Sequence, residues 1–269
     1  MSGFAARVAA ISLVPEERLE RLAGGDLSQV LRFTRPDGRI SVAKGHSAVA
    51  TEAAMLRALG GAGAPVPMVE GEHENVLLLE YVANDAVFSA RAWASVGAAL
   101  CRLHARRGED YGWPVDYQLG TVALENRQRG DWPSFWAEQR LLATAAVLDR
   151  PWRERVAAAA ARLGDLLPLA PPPSLLHGDL WSGNILVRDG ALAALIDPAC
   201  YHGDAEVDLA MLSLFDTPPA EFEEGYGALE PGWEERRPAY QLFPALVHLR
   251  LFGGSYAAMA DRLLRALGA

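Results

Sequence analysis

Three polar side chains in the stretch 175–198, LLHGDLWSGNILVRDGALAALIDP, have types and spacing that suit phosphoryl transfer. Asp179 and Asn184 stand five residues apart, and Asp197 follows thirteen residues later. Any one of them alone is most often a turn residue or a helix cap. Together they bracket two short apolar runs, 185–187 and 192–196, separated by Arg188-Asp189-Gly190. That pattern predicts a hairpin, which carries Asn184 and Asp197 back to one end. One carboxylate then takes the proton of an attacking hydroxyl. An amide oxygen and the other carboxylate hold Mg²⁺ on nucleotide phosphates. His177, in the short strand leading to Asp179, reads as an orienting side chain rather than the base.

Two unlike halves must position these residues. Residues 1–84 mix short strands with one good helix. Strands are expected over 28–34 and 39–44, joined by the turn Arg35-Pro36-Asp37-Gly38, and over 68–72 and 75–81. Between them, 47–59 places Val49, Ala53, Leu56 and Leu59 on one helical face. Residues 85–269 read as mostly helical, with helices over 89–107, 132–148 and 152–167, a loop over 108–131 and a Pro-rich breaker at 168–173. The expected fold class is α+β with two lobes: a small antiparallel-sheet lobe, a larger helical lobe, and a hinge near 80–84 that leaves a cleft between them.

Composition narrows the function classes. In 269 residues, 51% are hydrophobic and 22% charged, which excludes a disordered chain. Asp plus Glu number 34 against 25 Lys plus Arg, a net charge of −9. An acidic chain is no nucleic-acid coat. Two cysteines make no disulfide framework, and a reducing cytoplasm is the expected setting. Apolar runs such as 76–79 and 157–161 are far too short to span a membrane. The opening MSGFAARVAAISLVPEERLE reads as a leading segment and helix, not a signal peptide.

HGDLWSGN, residues 177–184, fits H-x-D-x-x-x-x-N, with Gly178 where protein kinases carry Arg and Asp197-Pro198-Ala199 in place of D-F-G. It resembles the catalytic loop of the fructosamine/ketosamine kinase family. That family belongs to the kinase-like phosphotransferases that include aminoglycoside and choline kinases. Trp181 separates this loop from the aminoglycoside kinases. DPACYHGDAEVDLAM at 197–211 and GWEERRPAYQLFPALVHLRLFGGSY at 232–256 are also similar to the family pattern. So are LGT at 119–121, Asn126, Trp132, Phe135 and Arg140. The resemblance spans nearly the whole chain and implies a protein-kinase-like fold.

It further implies where ATP and Mg²⁺ sit. Lys44, ending the strand ISVAK, reaches the α/β-phosphates, and Glu52 on the next helix pairs with it across a short connection. Gly24, Gly25 and Ser28 form the phosphate-covering turn. Glu80 and Val82 offer main-chain groups to adenine. Asn184 and Asp197 bind the metal, Asp179 is the catalytic base, and Trp181 packs against the sugar. Asp208, in EVDLAM, braces the catalytic loop from a neighbouring helix, and His177 orients it. The phosphate turn lacks the cysteine that permits redox-controlled dimerisation in some members, and a monomer is expected. His202, Asp204 and Glu206 are expected to line the sugar side of the cleft or a solvated loop. His248, Trp233, Tyr240, Phe243, Phe252 and Cys101 are expected in the core.

The reading favoured by these residues is an ATP-dependent small-molecule kinase acting on O3 of ketosamines, free or on a glycated protein. Deglycation is the implied role. An aminoglycoside or choline-type phosphotransferase is the alternative enzyme. A nucleotide-binding pseudokinase is the non-enzymatic one, and intact Lys44, Asp179, Asn184 and Asp197 weigh against it.

Overall fold

Period-two burial builds the N-terminal sheet. Val76 and Leu78 point to one face of their strand, and Leu77 and Leu79 to the other, yet all four are buried. Both faces are covered, so the strand is apolar without interruption. The computed structural model describes residues 3–22 and 29–269. The proposed phosphate turn, Gly24, Gly25 and Ser28, lies outside the described residues.

The chain opens with α1 (Phe4–Ser12) and β1 (Glu20–Arg21). β2 (Gln29–Thr34) and β3 (Ile40–Gly45) follow, then α2 (Val49–Gly61), β4 (Val69–His73) and β5 (Val76–Glu80). The strands form one antiparallel sheet in the order β1-β2-β3-β5-β4. Asp37 accepts from the Arg39 N–H at 3.0 Å and Gly38 takes φ +86°, which closes the β2–β3 turn. α1 packs on one face, Val8 meeting Phe33, Ala43, Val76 and Leu78. α2 packs on the other through Val49, Ala53 and Leu56, against Leu77 and Leu79.

The helical lobe begins at α3 (Ala90–His104), whose first turn is capped by the Ser89 hydroxyl accepting from Ala92 N–H. Within the stretch expected as a loop, β6 (Tyr117–Leu119) and β7 (Val122–Leu124) form a hairpin turned at Gly120, φ +57°. Strands of three residues leave too short an alternation to be read in advance. α4 (Trp132–Trp136) runs through a π-helical stretch, Ala137–Leu142, into α5 (Ala143–Ala145). The expected 152–167 helix is instead α6 (Arg150–Ala160) and α7 (Leu163–Leu166). Asp149 caps α6, and Pro151 sits in its first turn.

β8 (Ser174–Leu176) leads into the candidate catalytic loop, and β9 (Ile185–Arg188) and β10 (Ala191–Leu195) form the expected hairpin. β11 (Tyr201–Gly203) returns to pair with β8. α8 (Glu206–Phe215), α9 (Ala220–Tyr226), α10 (Trp233–Phe252) and α11 (Ala257–Ala266) complete the lobe. No helix among the described residues is long and apolar enough to cross a membrane.

The lobe's core centres on Trp132, Phe135, Trp136, Tyr201 and Tyr240. Arg140 is fully buried among them. Its guanidinium donates to Glu125 O at 2.6 Å and Asn126 Oδ1 at 2.7 Å and lies over the Tyr201 ring. A buried cation of this kind is held only by such partners. It fixes the chain just after β7. Trp233, Tyr240 and Phe243 are buried as expected, whereas Phe252 is 41% exposed. Cys101 is exposed, not core. It lies on the solvent side of α3, whose buried stripe runs through Val96, Leu100 and Leu103.

Candidate active site

The loop after β8 is held from below. His177 is fully buried, and its Nε2–H donates to Ile196 O at 2.9 Å while Nδ1 accepts from Asp179 N–H at 3.3 Å. Both ring nitrogens are engaged, and burial lowers the imidazole's affinity for a proton. Such a histidine orients the loop and has no lone pair left for a substrate. Gly178 takes φ +82°, and a Cβ there would lie 2.1 Å from Ala199 O. Only glycine fits, so the arginine of the protein-kinase motif has no room here.

Asp208, at the start of α8, is fully buried beneath this loop. It accepts from His177 N–H at 2.7 Å and from Gly178 N–H at 2.9 Å. His104 Nε2 donates to the same carboxylate at 3.1 Å, and His104 Nδ1 accepts from the Tyr226 hydroxyl at 2.9 Å. Burial alone would raise the carboxyl's pKa. The His104 hydrogen bond and the neighbouring histidines hold it below the usual range instead. Sequence reasoning missed His104, which shows no motif and stands 104 positions from its partner.

Asp179 is half-buried, and Asn184 Nδ2 donates to its backbone O at 2.8 Å and its Oδ2 at 3.1 Å. Its carboxyl is pushed up to about 7, first by desolvation and then by the charge of Asp197; Asn184 and Lys44 oppose the rise. The β9–β10 hairpin does bring Asp197 to Asn184, since Ile196 N–H donates to Asn184 O at 3.0 Å. Asp197 takes φ +55°, a left-handed conformation more tolerable for Asp than for most residues.

From the other lobe, Lys44 Nζ meets Glu52 Oε1 at 2.9 Å and Asp197 Oδ1 at 2.9 Å. Burial would strip its proton, but the two carboxylates hold its pKa well above the ordinary value. Glu52 is likewise buried yet kept below its usual range by Lys44 and by His46, whose Nε2 lies 2.9 Å from Glu52 Oε2. The three-residue link from β3 to α2 is therefore long enough for the pair. Tyr117 of β6 approaches Glu52 Oε2 to 3.5 Å, so the Arg140-anchored hairpin reaches across the cleft.

These contacts leave Asn184 Oδ1 and Asp197 Oδ2 without a protein partner among the described residues. Two oxygen donors suit a hard cation such as Mg²⁺, which takes its remaining positions from phosphate and water. Glu80 and Val82 leave the sheet where the lobes meet, and the Tyr81 N–H between them donates to Ile40 O at 3.2 Å. The connection to α3 is pinned to the β9–β10 hairpin by Asp85 N–H to Val187 O at 3.0 Å and Asp189 N–H to Asp85 Oδ2 at 2.9 Å.

Beside Asp179 opens a pocket lined by Leu119, Val207, Met211, Phe243, Pro244 and His248, among others. Among the described residues of that lining, Asp179 and the imidazole of His248 are the titratable side chains. His248 therefore faces the site rather than the core. Its Nδ1–H donates to Pro244 O at 2.8 Å, and burial lowers the ring's affinity for a proton. Trp181 is 41% exposed, with its ring over Gly183 and edge-on to Phe215 at 6.5 Å, so it is not a core residue. His202, Asp204 and Glu206 line neither the pocket nor a solvated loop. His202 stacks on Trp113, the Tyr240 hydroxyl donates to Asp204 Oδ2 at 2.7 Å, and Arg236 pairs with Glu206.

Comparison with known proteins shows the family and the fold. A sequence description of the fructosamine kinase family matches residues 11–268. A protein named "Probable ketoamine kinase" from Lactiplantibacillus plantarum is 32% identical over 274 residues, covering 96% of each chain. A crystal structure from Thermobifida fusca, assigned as a fructosamine-3-kinase, superposes with a TM-score of 0.86 at 31% identity over 98% of each chain. An aminoglycoside phosphotransferase solved with AMP-PNP and hygromycin B gives 0.67 at 18% identity, over 93% of this chain and 94% of its own. That last likeness is one of fold, the two-lobed protein-kinase-like fold. A match across almost the whole length, with relatives above 30% identity end to end, places the chain in the fructosamine kinase family, as an ATP-dependent enzyme of the ketoamine-kinase kind.

Proposed function

We propose that the protein phosphorylates the O3 hydroxyl of ketosamines, the adducts of an amine with a sugar, with Asp179 as the catalytic base. The observation that carries this reading is the meeting of Asp179, Asn184, Asp197 and the Lys44–Glu52 pair at one cleft, with a pocket opening beside Asp179. Bound ATP with Mg²⁺ supplies the phosphoryl group and neutralises its charge. Lys44 holds the phosphates, and Asn184 and Asp197 hold the metal. Asp179, with a proton affinity raised toward neutrality, accepts the proton of the attacking hydroxyl. His248 offers a ring face at the pocket for the sugar's C–H surface. Trp181 lies outside that lining but stands 41% exposed two residues after Asp179, free to meet the acceptor's far side.

Trp181 and the similarity of residues 232–256 to the family pattern weigh against an aminoglycoside or choline-type acceptor. The O3-phosphorylated product is labile and releases the amine, which makes deglycation the role. The test is a panel of fructosyl, ribulosyl and erythrulosyl amines incubated with ATP and Mg²⁺, the phosphate position being read by NMR. Phosphate on O3 of a ketosamine is the expected result. Transfer to aminoglycosides or choline but to no ketosamine would overturn the assignment.

A further inference from the structure

The two ends of α8 grip the candidate catalytic loop from opposite sides. At its start, Asp208 takes the amides of His177 and Gly178. Just past its end, eight residues on, Asp216 Oδ2 accepts from Ser182 N–H at 2.9 Å. Asp179 lies between the two grips. A carboxylate beyond the last turn of a helix faces the negative end of the helix dipole, so this placement works against α8 itself. Its partner is the first amide of the 3₁₀ turn Ser182–Asn184, a donor with no partner inside the turn. The turn passes the constraint on. Asn184 N–H donates to Trp181 O at 2.9 Å, and the Asn184 side chain donates to Asp179. Trp181 has its own supports in Gly183 and Phe215.

We infer that Asp216 is a positioning residue. It acts through the Ser182 amide to set the turn that aims Asn184 at the metal. The inference rests on the active-site reading above. What the turn needs is an acceptor oxygen, not a charge. Asp216→Asn keeps such an oxygen and Asp216→Ala removes it. Ser182→Pro removes the donor instead, and proline is accepted at the first position of a turn after an extended residue such as Trp181, φ −150° and ψ 168°.

The test uses the full chain, with ketosamine kinetics and calorimetric titration of a non-hydrolysable ATP analogue at several Mg²⁺ concentrations. Asp216→Ala is expected to lose roughly 10–100-fold in kcat, the usual scale for a residue that orients a metal ligand, with a much smaller change in ketosamine KM. Its binding of the analogue requires more Mg²⁺. Ser182→Pro reproduces both effects, the double variant is no worse than the worse single one, and Asp216→Asn keeps most of the activity. If Asp216→Ala proves unstable, Asp216→Asn and Ser182→Pro carry the comparison. Unchanged kcat and Mg²⁺ dependence in both Asp216→Ala and Ser182→Pro would overturn the proposal. Equal impairment of the Asn and Ala variants through KM alone would also overturn it, because the charge would then be contacting substrate. Asp179→Asn, run in parallel, separates the two levels of argument. If it retains turnover, the active-site reading has failed. If it loses turnover while Asp216→Ala and Ser182→Pro do not, only the role of Asp216 has failed.

Discussion

Asp179→Asn should cripple phosphoryl transfer and make the protein more stable. The carboxyl's pKa rises from 3.8 to about 7 on folding because it is desolvated and sits near Asp197. The folded protein therefore keeps a proton that the unfolded chain gives up. Stability falls as pH rises through that window, and the cost is complete above about pH 7. At about 1.4 kcal/mol per pH unit, the ceiling is roughly 4 kcal/mol, and water reaching the half-buried group reduces it to about 2 kcal/mol. Asparagine cannot ionise, and its amide oxygen still accepts from Asn184. For a chain of this size, about 2 kcal/mol corresponds to a Tm increase of roughly 4–8 °C. The gain should appear at pH 8 in nucleotide-free protein, vanish near pH 4, and shrink when ATP and Mg²⁺ neutralise Asp197. Turnover should fall roughly 10²–10⁴-fold with ATP affinity retained. Scanning calorimetry at both pH values, with kinetics on the same preparation, decides the matter. An unchanged or lowered Tm at pH 8 would mark Asp179 as a structural carboxylate, and retained turnover would remove it as the base.

Three further outcomes are expected. Asp197→Ala should abolish turnover at ordinary Mg²⁺ because the metal loses its charged ligand, and Asn184→Ala should do less; a Mg²⁺ titration of activity checks the order. Gly178→Ala should cost roughly 2 kcal/mol or more in stability, measured by urea unfolding. An alanine at φ +82° is strained by about 1–2 kcal/mol before its Cβ meets Ala199 O at 2.1 Å. Trp181→Ala should raise ketosamine KM while leaving Tm within about 2 °C, since the ring is 41% exposed; a large drop in Tm with unchanged KM would refute the platform role.

Local order decided much of this molecule in advance. Two apolar runs flanking the turn Arg188-Asp189-Gly190 specify a hairpin, which returns Asp197 to the end that carries Asn184. Asp189 and Gly190, at φ +52° and +72°, supply the left-handed pair that a tight turn demands. Lys44 ending a strand and Glu52 in the first turn of the next helix are likewise set by short-range pattern, and their pairing needed only a short link. Tertiary packing alone decided what lies beneath and beside the candidate loop. α3 and α9 cross at Gly97 and Gly225, where a Cβ would lie 2.2 Å from Phe222 O and 2.1 Å from Ala94 O respectively. That close approach sets Tyr226 on His104 and, through it, His104 on Asp208. His248 reads in the sequence as one more residue on an apolar helix, and it reaches the pocket only because α10 packs beside α8 and the loop. Cys101 turned outward for the same reason: which stripe of α3 is buried depends on what the rest of the chain lays against it. Hydrogen bonds between residues a hundred positions apart depend on helix crossings, and no local pattern encodes a crossing.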